Sequence, residues 1–328
     1  DVLKTSGAPL APGTVARIFT GAPIPPGADT VVMQEVCQAS GDQVQIPLDV
    51  PAGSNIRRAG EDIRAGRQVL AAGTRLGPQH LGLAAAVGVG ELRVYRRLRV
   101  AVLASGDELV MPGQPLGPGQ IYNSNRFTLR GLLQGLGCEI LDLGIVADSR
   151  EATLAALRRG AREADLIVAS GGVSVGEEDH LKPAVEELGR LDLWRLAIRP
   201  GKPVAYGRVE HTPFFGSPGN PVSLFVTFCL LARPLVLRLQ GVSGDLQPWS
   251  YPLRAGFDWP KPDKRTEFHR ARLQRGLDGE PEVTVFPSRS SAALSSVAWA
   301  DGLVELPAGR VIRRGEMVPY LPLATLLG

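Results

Sequence analysis

Three groups of carboxylates in this chain each follow a short apolar run. Asp107 and Glu108 come after Val100–Ala104, Asp148 after Cys138–Leu143, and Glu177, Glu178 and Asp179 after Leu166–Ala169. Runs of that length and branching read as buried strands, so each group sits where a strand gives way to a loop. Before the third group stand Gly171-Gly172 and Gly176, which allow backbone conformations and close approaches that a side chain forbids. A glycine loop with exposed N–H groups suits a phosphate. Acids around a phosphate repel it unless a hard cation lies between them. Oxygen donors with no His or Cys favour Mg2+ over zinc. A plainer reading stands beside this one: Asp179 as the N-cap of a helix with Leu181, Val185 and Leu188 on one stripe, and Asp148 capping another helix in a box with Glu151. Glu108 has no such duty, and Asp107 reads as a turn residue.

The elements that would position these groups alternate strand and helix from Arg99 onward. Helix Arg126 to Leu136 carries Leu129, Leu132, Leu133 and Leu136 at helical spacing and stops at Gly137. A helix after Asp148 turns Leu154, Leu157 and Ala161 inward. Strand Leu193–Ile198 ends at Arg199-Pro200-Gly201-Lys202-Pro203, and Val204–Tyr206 and Pro213–Phe215 add short strands. A long helix starts at Pro221 with Asn220 as its cap, bends near Pro234 and stops by Gly241. The expected fold class is α/β: a doubly wound, mostly parallel central sheet flanked by small β-rich domains. In such sheets ligands sit beyond the carboxyl ends of the strands. The three acid groups, the glycines of residues 171–176 and the turn Ser217-Pro218-Gly219-Asn220-Pro221 should therefore share one crevice.

The chain divides on this reading into a β-rich segment (1–66), a helix and basic link (67–98), the α/β domain (99–247) and a second β-rich domain (248–328). The first segment has β-type runs at Val15–Phe19, Thr30–Met33 and Val44–Ile46. It also offers Thr20 before a glycine turn, and Arg57 and Arg58 beside Glu61 and Asp62. The last domain reads as strands at Tyr251–Phe257, Thr266–Leu273, Glu282–Phe286, Asp301–Leu306 and Met317–Leu321, with Trp259, Trp299 and Phe286 as its core. Its basic residues, Arg265, His269, Arg270, Arg272, Arg275 and Arg289, read as a solvated face.

At 328 residues the chain is too long for one ordinary core, and 44% hydrophobic with 21% charged residues reads as globular. A formal charge of +3 without a dense Lys/Arg stripe argues against a nucleic-acid partner. Cys37, Cys138 and Cys229 are scattered, which argues for a reducing compartment, the cytoplasm, and against structural zinc. The most apolar segment, Val222–Ala232, falls short of the roughly 20 residues that cross a bilayer, so no membrane is expected. The chain begins at Asp1 with no initiator Met, and an incomplete amino terminus is expected.

The motifs together resemble the molybdopterin molybdenumtransferases, the family that includes MoeA and the E-domain of gephyrin. They are Phe19-Thr20-Gly21-Ala22-Pro23, Val32-Met33-Gln34-Glu35, Ile56–Asp62, Ser105-Gly106-Asp107-Glu108-Leu109, Ser170-Gly171-Gly172-Val173-Ser174, Leu196–Pro203 and Pro218–Ser223, in the family's order. The resemblance implies a homodimer with its active site at the subunit interface. It implies Mg2+-dependent insertion of molybdenum from molybdate into adenylylated molybdopterin, delivered by an upstream molybdopterin adenylyltransferase, with release of AMP. By matched position it implies catalytic roles for Thr20, Asp62, Glu108, Asp148 and Asp179, and the last three, at the strand ends, are expected to hold the Mg2+. It implies pterin and phosphate contacts at Gly171, Gly172, Ser174, Arg195, Arg199, Lys202, Pro218 and Pro221. Arg195 and Arg199 stand where the family often has lysine, and a planar fork contacts an oxyanion differently from a point charge. An Asp-Gly-Tyr-Ala segment of the family's amino-terminal region has no counterpart in this sequence. The alternatives are a pterin-binding carrier or adenylyltransferase-like module, and a gephyrin-like scaffold without turnover. The flanking β regions favour the transferase over the carrier.

Overall fold

The computed structural model describes residues 9–172 and 180–327, with the side chains of 193–195 left aside. The chain forms two compact units: the described part of residues 1–71 with 79–88, and residues 72–78 with 89–327.

The first unit holds little regular structure. Strands β1 (Gln38–Ser40) and β2 (Gln43–Gln45) form a small antiparallel hairpin, and helix α1 spans Pro78–Ala86. The runs Val15–Phe19 and Thr30–Met33, expected as strands, have irregular backbone. Prolines 23, 25 and 26 deny the intervening chain the donors that a ladder needs. Loop-to-loop bonds do the work instead: Val31 N–H donates to Ser54 O at 3.0 Å, Gly53 N–H to Asp29 O at 2.7 Å, and Asn55 Nδ2 to Val31 O at 2.8 Å.

In the second unit the stretch Leu92–Leu98 has no regular secondary structure. Then come β3 (Arg99–Ser105), β4 (Leu109–Val110), β5 (Ile121–Tyr122), α2 (Ser124–Gly135), β6 (Glu139–Val146), α3 (Arg150–Glu163), β7 (Leu166–Ser170), α4 (Leu181–Leu188), β8 (Gly189–Arg195), β9 (Ile198–Arg199), β10 (Pro203–Val209) and β11 (Thr212–Ser217). A six-stranded sheet runs β6-β3-β7-β11-β10-β8. The first four strands are mutually parallel, and β10 is antiparallel to both its neighbours. Strand alternation sorts the core into two layers. Val100, Val102, Leu166 and Val168 face Leu129 and Leu133 of α2 and the helix after β11. Ala101, Leu103, Ile167 and Ala169 face Leu154, Leu157, Leu181 and Val185 of α3 and α4. Both faces of the central parallel strands β3 and β7 are buried, as a doubly wound sheet requires, while the edge strand β6 is only partly covered.

The helix after β11 runs from Pro221 to Leu239 as α5 (Pro221–Thr227), a π-helical turn (Phe228–Ala232) and α6 (Arg233–Leu239). The irregular turn lies just ahead of Pro234, whose missing N–H and ring would otherwise break an α-helical ladder. The 19 residues are long and apolar enough to cross a membrane by length and composition, with mean hydropathy 1.8, a longer span than Val222–Ala232 suggested. Two-thirds of that span is buried inside the domain, however, as the core helix it is.

The last domain comprises β12 (Tyr251–Ala255), β13 (Thr266–Arg275), β14 (Pro281–Val285), α7 (Ser295–Trp299), β15 (Gly302–Leu306), β16 (Met317–Pro322) and α8 (Leu323–Leu327). The ladder β14-β12-β16-β15-β13 closes through a β13–β14 pairing, giving a five-stranded barrel. Short β9 of the α/β domain joins it alongside β13, with Arg199 opposite Glu267. The barrel core includes Ala255, Trp259, Ala271, Val283, Val304 and Tyr320. Phe286 and Trp299 are half-buried and pair edge-to-face at 5.4 Å instead of filling that core.

Candidate functional site

The carboxyl ends of the parallel strands finish level with one another. Ser105 lies opposite Val146, Ala104 opposite Ser170, and Ser170 opposite Ser217. Loops 106–108, 147–149 and 171–172 and the turn 218–220 therefore leave the sheet along one rim. Glycine makes the crowding possible. At Gly171, φ +83°, an added Cβ would lie 2.7 Å from the Ser105 carbonyl oxygen, and a Cβ on Gly219 would lie 3.8 Å from Gly171 Cα. At Gly106, φ +145°, a Cβ would fall 2.8 Å from the Glu108 carboxyl carbon, so that carboxylate folds back over the rim.

Glu108 is exposed and Asp148 half-buried. Asp148 does not cap α3: the cap is Ser149, whose hydroxyl accepts from Ala152 N–H at 3.3 Å. That leaves the Asp148 carboxylate without helix duty. Its backbone N–H donates to Asp107 Oδ1 at 3.4 Å, so Asp107, read from sequence as a turn residue, links the loops after β3 and β6. Asp179 and Ser174 lie outside the described residues. No cluster of three His, Cys, Asp or Glu forms among the described residues.

Gly171 is not a phosphate donor. Its N–H is taken by Ser217 O at 3.2 Å, so it closes the turn, while Gly172, φ +65°, continues it. Pro218 is buried and Pro221 opens α5, whose first amide, Val222 N–H, is engaged by Ser291 O at 3.1 Å. Asn220 supplies its carbonyl, to Leu224 N–H at 2.9 Å, but no side-chain cap.

The basic positions separate. Arg199 is not held out toward a ligand: its Nη1 donates to Asp263 Oδ2 at 2.9 Å, and its Nε stands 3.8 Å from Glu267 Oε1. Strand β9 carries this residue into the barrel, which the sequence pattern of an α/β unit could not announce. Hydrogen bonds from Arg265 first, and then Arg199, hold the Asp263 carboxyl well below the usual range. Glu267 also accepts from Trp259 Nε1 at 3.0 Å and Arg289 Nη2 at 2.7 Å, and the Arg289 guanidinium lies 4.1 Å above the Trp259 ring. Lys202 is exposed, and its carbonyl accepts from Leu196 N–H at 3.0 Å, closing the loop that presents it. The Arg195 side chain is not among those described.

His269 and Arg270, read as solvated, are 3% and 1% exposed. Alternation along β13 turns Arg270 toward α7, where its Nε donates to Ser296 Oγ at 2.8 Å. Burial, and then the charge of Arg270, pushes the His269 imidazole down to about 4.

Thr20 and Asp62 both lie in the first unit, and both are exposed. Thr20 sits in a turn closed by Ala22 N–H to Phe19 O at 2.9 Å. Asp62 follows a turn in which Glu61 Oε2 accepts from Arg58 N–H at 2.9 Å.

Sequence reasoning passed over the first turn of α2. Asn123 caps it, accepting from Arg126 N–H at 3.1 Å. Asn125 Nδ2 donates to Ser170 Oγ at 2.9 Å and to Gly219 O at 2.6 Å, tying the helix to the β7 end and to the proline turn. Arg126 pairs with Asp142 of β6. The available signal was Asn-x-Asn ahead of a helical stripe. A cavity of about 380 Å3, lined in part by Tyr95, Arg96, Asp165 and His211, opens at the other ends of the strands. Its Arg96–Asp165 pair is already satisfied at 2.7 Å, so chemistry favours the acid-bearing rim.

Three family profiles match in chain order: "MoeA N-terminal region (domain I and II)" over residues 3–88, "Probable molybdopterin binding domain" over 101–238, and "MoeA C-terminal region (domain IV)" over 252–323. A molybdopterin molybdenumtransferase of Haemophilus influenzae is 40% identical over 317 residues, 96% of this chain and 78% of that protein. One from Nostoc sp. is 35% identical, covering 96% and 73%. Among solved structures, a molybdopterin biosynthesis MoeA protein from Pyrococcus horikoshii superposes with a TM-score of 0.73 at 32% identity, over 96% of this chain and 77% of that one. Another solved structure, a molybdopterin biosynthesis MoeA protein from Pyrococcus horikoshii OT3, gives a TM-score of 0.79 at 25% identity, over 98% and 79%.

Proposed function

The chain belongs to the molybdopterin molybdenumtransferase family, and on that footing we propose that it inserts molybdenum from molybdate into adenylylated molybdopterin, with Mg2+ required and AMP released. The observation that carries this reading is the rim itself. Level strand ends bring the loops of Glu108 and Asp148 beside the Gly171 turn and the proline turn at 218–221.

The donors fit the cation. Glu108 and Asp148 are carboxylates free of helix capping, and Mg2+ is commonly held by one or two carboxylates together with substrate phosphates and water. Asp179 is proposed as the third acid on resemblance alone. When bound, the ion would neutralise charge on the phosphoanhydride. The chain's own residues do the rest. Glu108 and Asp148 fix the cation's place. Lys202, exposed on a closed loop, would bind phosphate or molybdate oxygens as a mobile point charge. Arg199, tied to Asp263 and Glu267, orients that loop from the barrel side and is a positioning residue. The Gly171 turn keeps the rim narrow enough for acids and substrate to share it. Catalysis is then positioning and electrostatics, with no covalent enzyme intermediate. Thr20 and Asp62 are proposed to serve the same reaction, the enzyme to act as a homodimer, and the pterin to arrive from a molybdopterin adenylyltransferase.

Glu108→Gln and Asp148→Asn test the reading. Both should fold normally and release AMP from adenylylated molybdopterin at least about a hundredfold more slowly, the scale expected when a preorganised charge is lost. Wild-type turnover in both would remove these acids from the mechanism.

A further inference from the structure

The first turn of α2 connects the segments that carry Glu108 and Asp148, through backbone and side-chain groups of residues outside the set assigned above. Asn123 N–H donates to Val110 O at 2.9 Å, which fastens the helix start to β4, two residues beyond Glu108. Arg126 reaches both segments at once. Its Nη1 lies 3.0 Å from Met111 Sδ, just after β4, and its Nε donates to Asp142 Oδ2 at 2.7 Å, on β6. Both members of the ion pair are about a quarter exposed, at 26% and 27%, so it is partly desolvated.

Asp142 has a second task. Val102 of β3 pairs with Asp142 but Leu103 pairs with Gly144, leaving Leu143 as an extra residue in β6. This is a β-bulge, and such an insertion shifts every later side chain to the opposite face. Asp142 Oδ1 accepts from Gly144 N–H at 3.0 Å, within the bulge, and Gly144 holds φ +76° there. The bulge lies upstream of Asp148 and decides how the strand delivers it to the rim.

We propose that Arg126 and Asp142 form a positioning pair that sets the separation and aim of Glu108 and Asp148. The guanidinium fixes the segment after Glu108, and the carboxylate fixes the bulge ahead of Asp148. Neither residue touches substrate. The inference rests on the reading that Glu108 and Asp148 hold one divalent cation between them.

Asp142→Asn is the discriminating variant, because it keeps an oxygen for Gly144 N–H and the side-chain shape while losing the charge that grips Arg126. Arg126→Lys keeps the charge and loses the fork. Mn2+ titrated in the presence of AMP, followed by electron paramagnetic resonance, reads the site without turnover. Both variants should bind Mn2+ between about tenfold and a hundredfold more weakly, the range for residues that orient metal ligands. Their melting temperatures should stay near wild type, and in turnover kcat should fall with little change in KM. Wild-type Mn2+ affinity in both would overturn the proposal. Should Asp142→Asn fail to fold, Arg126→Lys decides alone. Glu108→Gln is run alongside: if it leaves wild-type Mn2+ binding intact, the two-acid site itself is wrong, and the pair loses its role with it. If only Glu108→Gln weakens binding, the site stands and the positioning pair does not.

Discussion

Replacing Gly171 with alanine would put a methyl group 2.7 Å from the Ser105 carbonyl oxygen, on a backbone held at φ +83°. Two terms oppose it. The left-handed conformation costs an L-residue about 1–2 kcal/mol. Crowding against the carbonyl adds a further ~1–3 kcal/mol, as for other over-packed interiors. Neither atom can swing aside, because a Cβ is fixed by its backbone and the carbonyl is itself main chain, at the ends of adjacent central strands. The sum is about 2–5 kcal/mol. Gly137→Ala carries the first term alone, so its difference from Gly171→Ala isolates the second: Gly137 has φ +77°, yet nothing lies within 4 Å of where its methyl would go. Thermal unfolding followed by circular dichroism should rank Gly171→Ala below Gly137→Ala, and AMP release should fall in the first variant only. Because Ser105 leads into Glu108 and Gly171 closes onto Ser217, relieving the clash must widen the rim. Equal stability of the two variants would refute the close approach, and full activity in Gly171→Ala would refute its bearing on the site.

Two further predictions concern residues that the sequence left inconspicuous. His269 is kept neutral by burial, with its folded value at about 4 against an ordinary ~6.5. Its contribution is therefore complete above pH 6.5 and is lost as pH falls toward 4, to the extent of at most about 3 kcal/mol. His269→Gln, still able to donate to Phe286 O, should show a flatter decline of urea midpoint between neutral and mildly acidic pH, and parallel curves for the two proteins would contradict this. Asn125→Asp sets a carboxylate oxygen where Nδ2 now meets Gly219 O at 2.6 Å, acceptor against acceptor. A loss of about 2 kcal/mol is expected from the broken and unsatisfied groups, and an unchanged melting temperature would argue against the strap.

Much of the fold could be read from local pattern. Leu129, Leu132, Leu133 and Leu136 announce α2 by spacing, and the apolar runs at Val100 and Leu166 announce central strands, because the same burial that stabilises them writes their periodicity. The five barrel strands were equally plain. What escaped depended on contacts distant in sequence. Ser149, not Asp148, caps α3, a difference of one residue that decides whether a carboxylate is spent on a helix or left for a ligand. Arg199 looked like a pocket cation because its loop follows a strand of the α/β domain. Its partners Asp263 and Glu267 lie more than sixty residues on, and only the pairing of β9 with β13 brings them together. Likewise Arg270 carries no mark of burial in a run rich in arginine, since what neutralises its cost is a ring of oxygens from Ser288, Ser290 and Ser296.

These corrections sharpen the site. Of the basic residues proposed to meet an oxyanion, Arg199 already spends its fork on two acids, whereas Lys202 is exposed and makes no ion pair among the described residues. The two are nevertheless linked. Arg199 is stitched to the barrel, Gly201 packs against Thr227 and Ile198, and Leu196 N–H closes on Lys202 O, so the loop is fixed at both ends while its tip keeps a flexible ammonium. On the proposed reading, a rigid fork that anchors the frame and a point charge left for the ligand divide the labour by chemistry. At the rim Ser149 caps α3 and so leaves Asp148 unspent, while Arg126 pairs with Asp142 at the bulge ahead of it. In both places an arginine is paired with an acid while a neighbouring charge makes no ion pair among the described residues, and on the proposed reading an unpaired charge is what an incoming phosphate or cation needs to find.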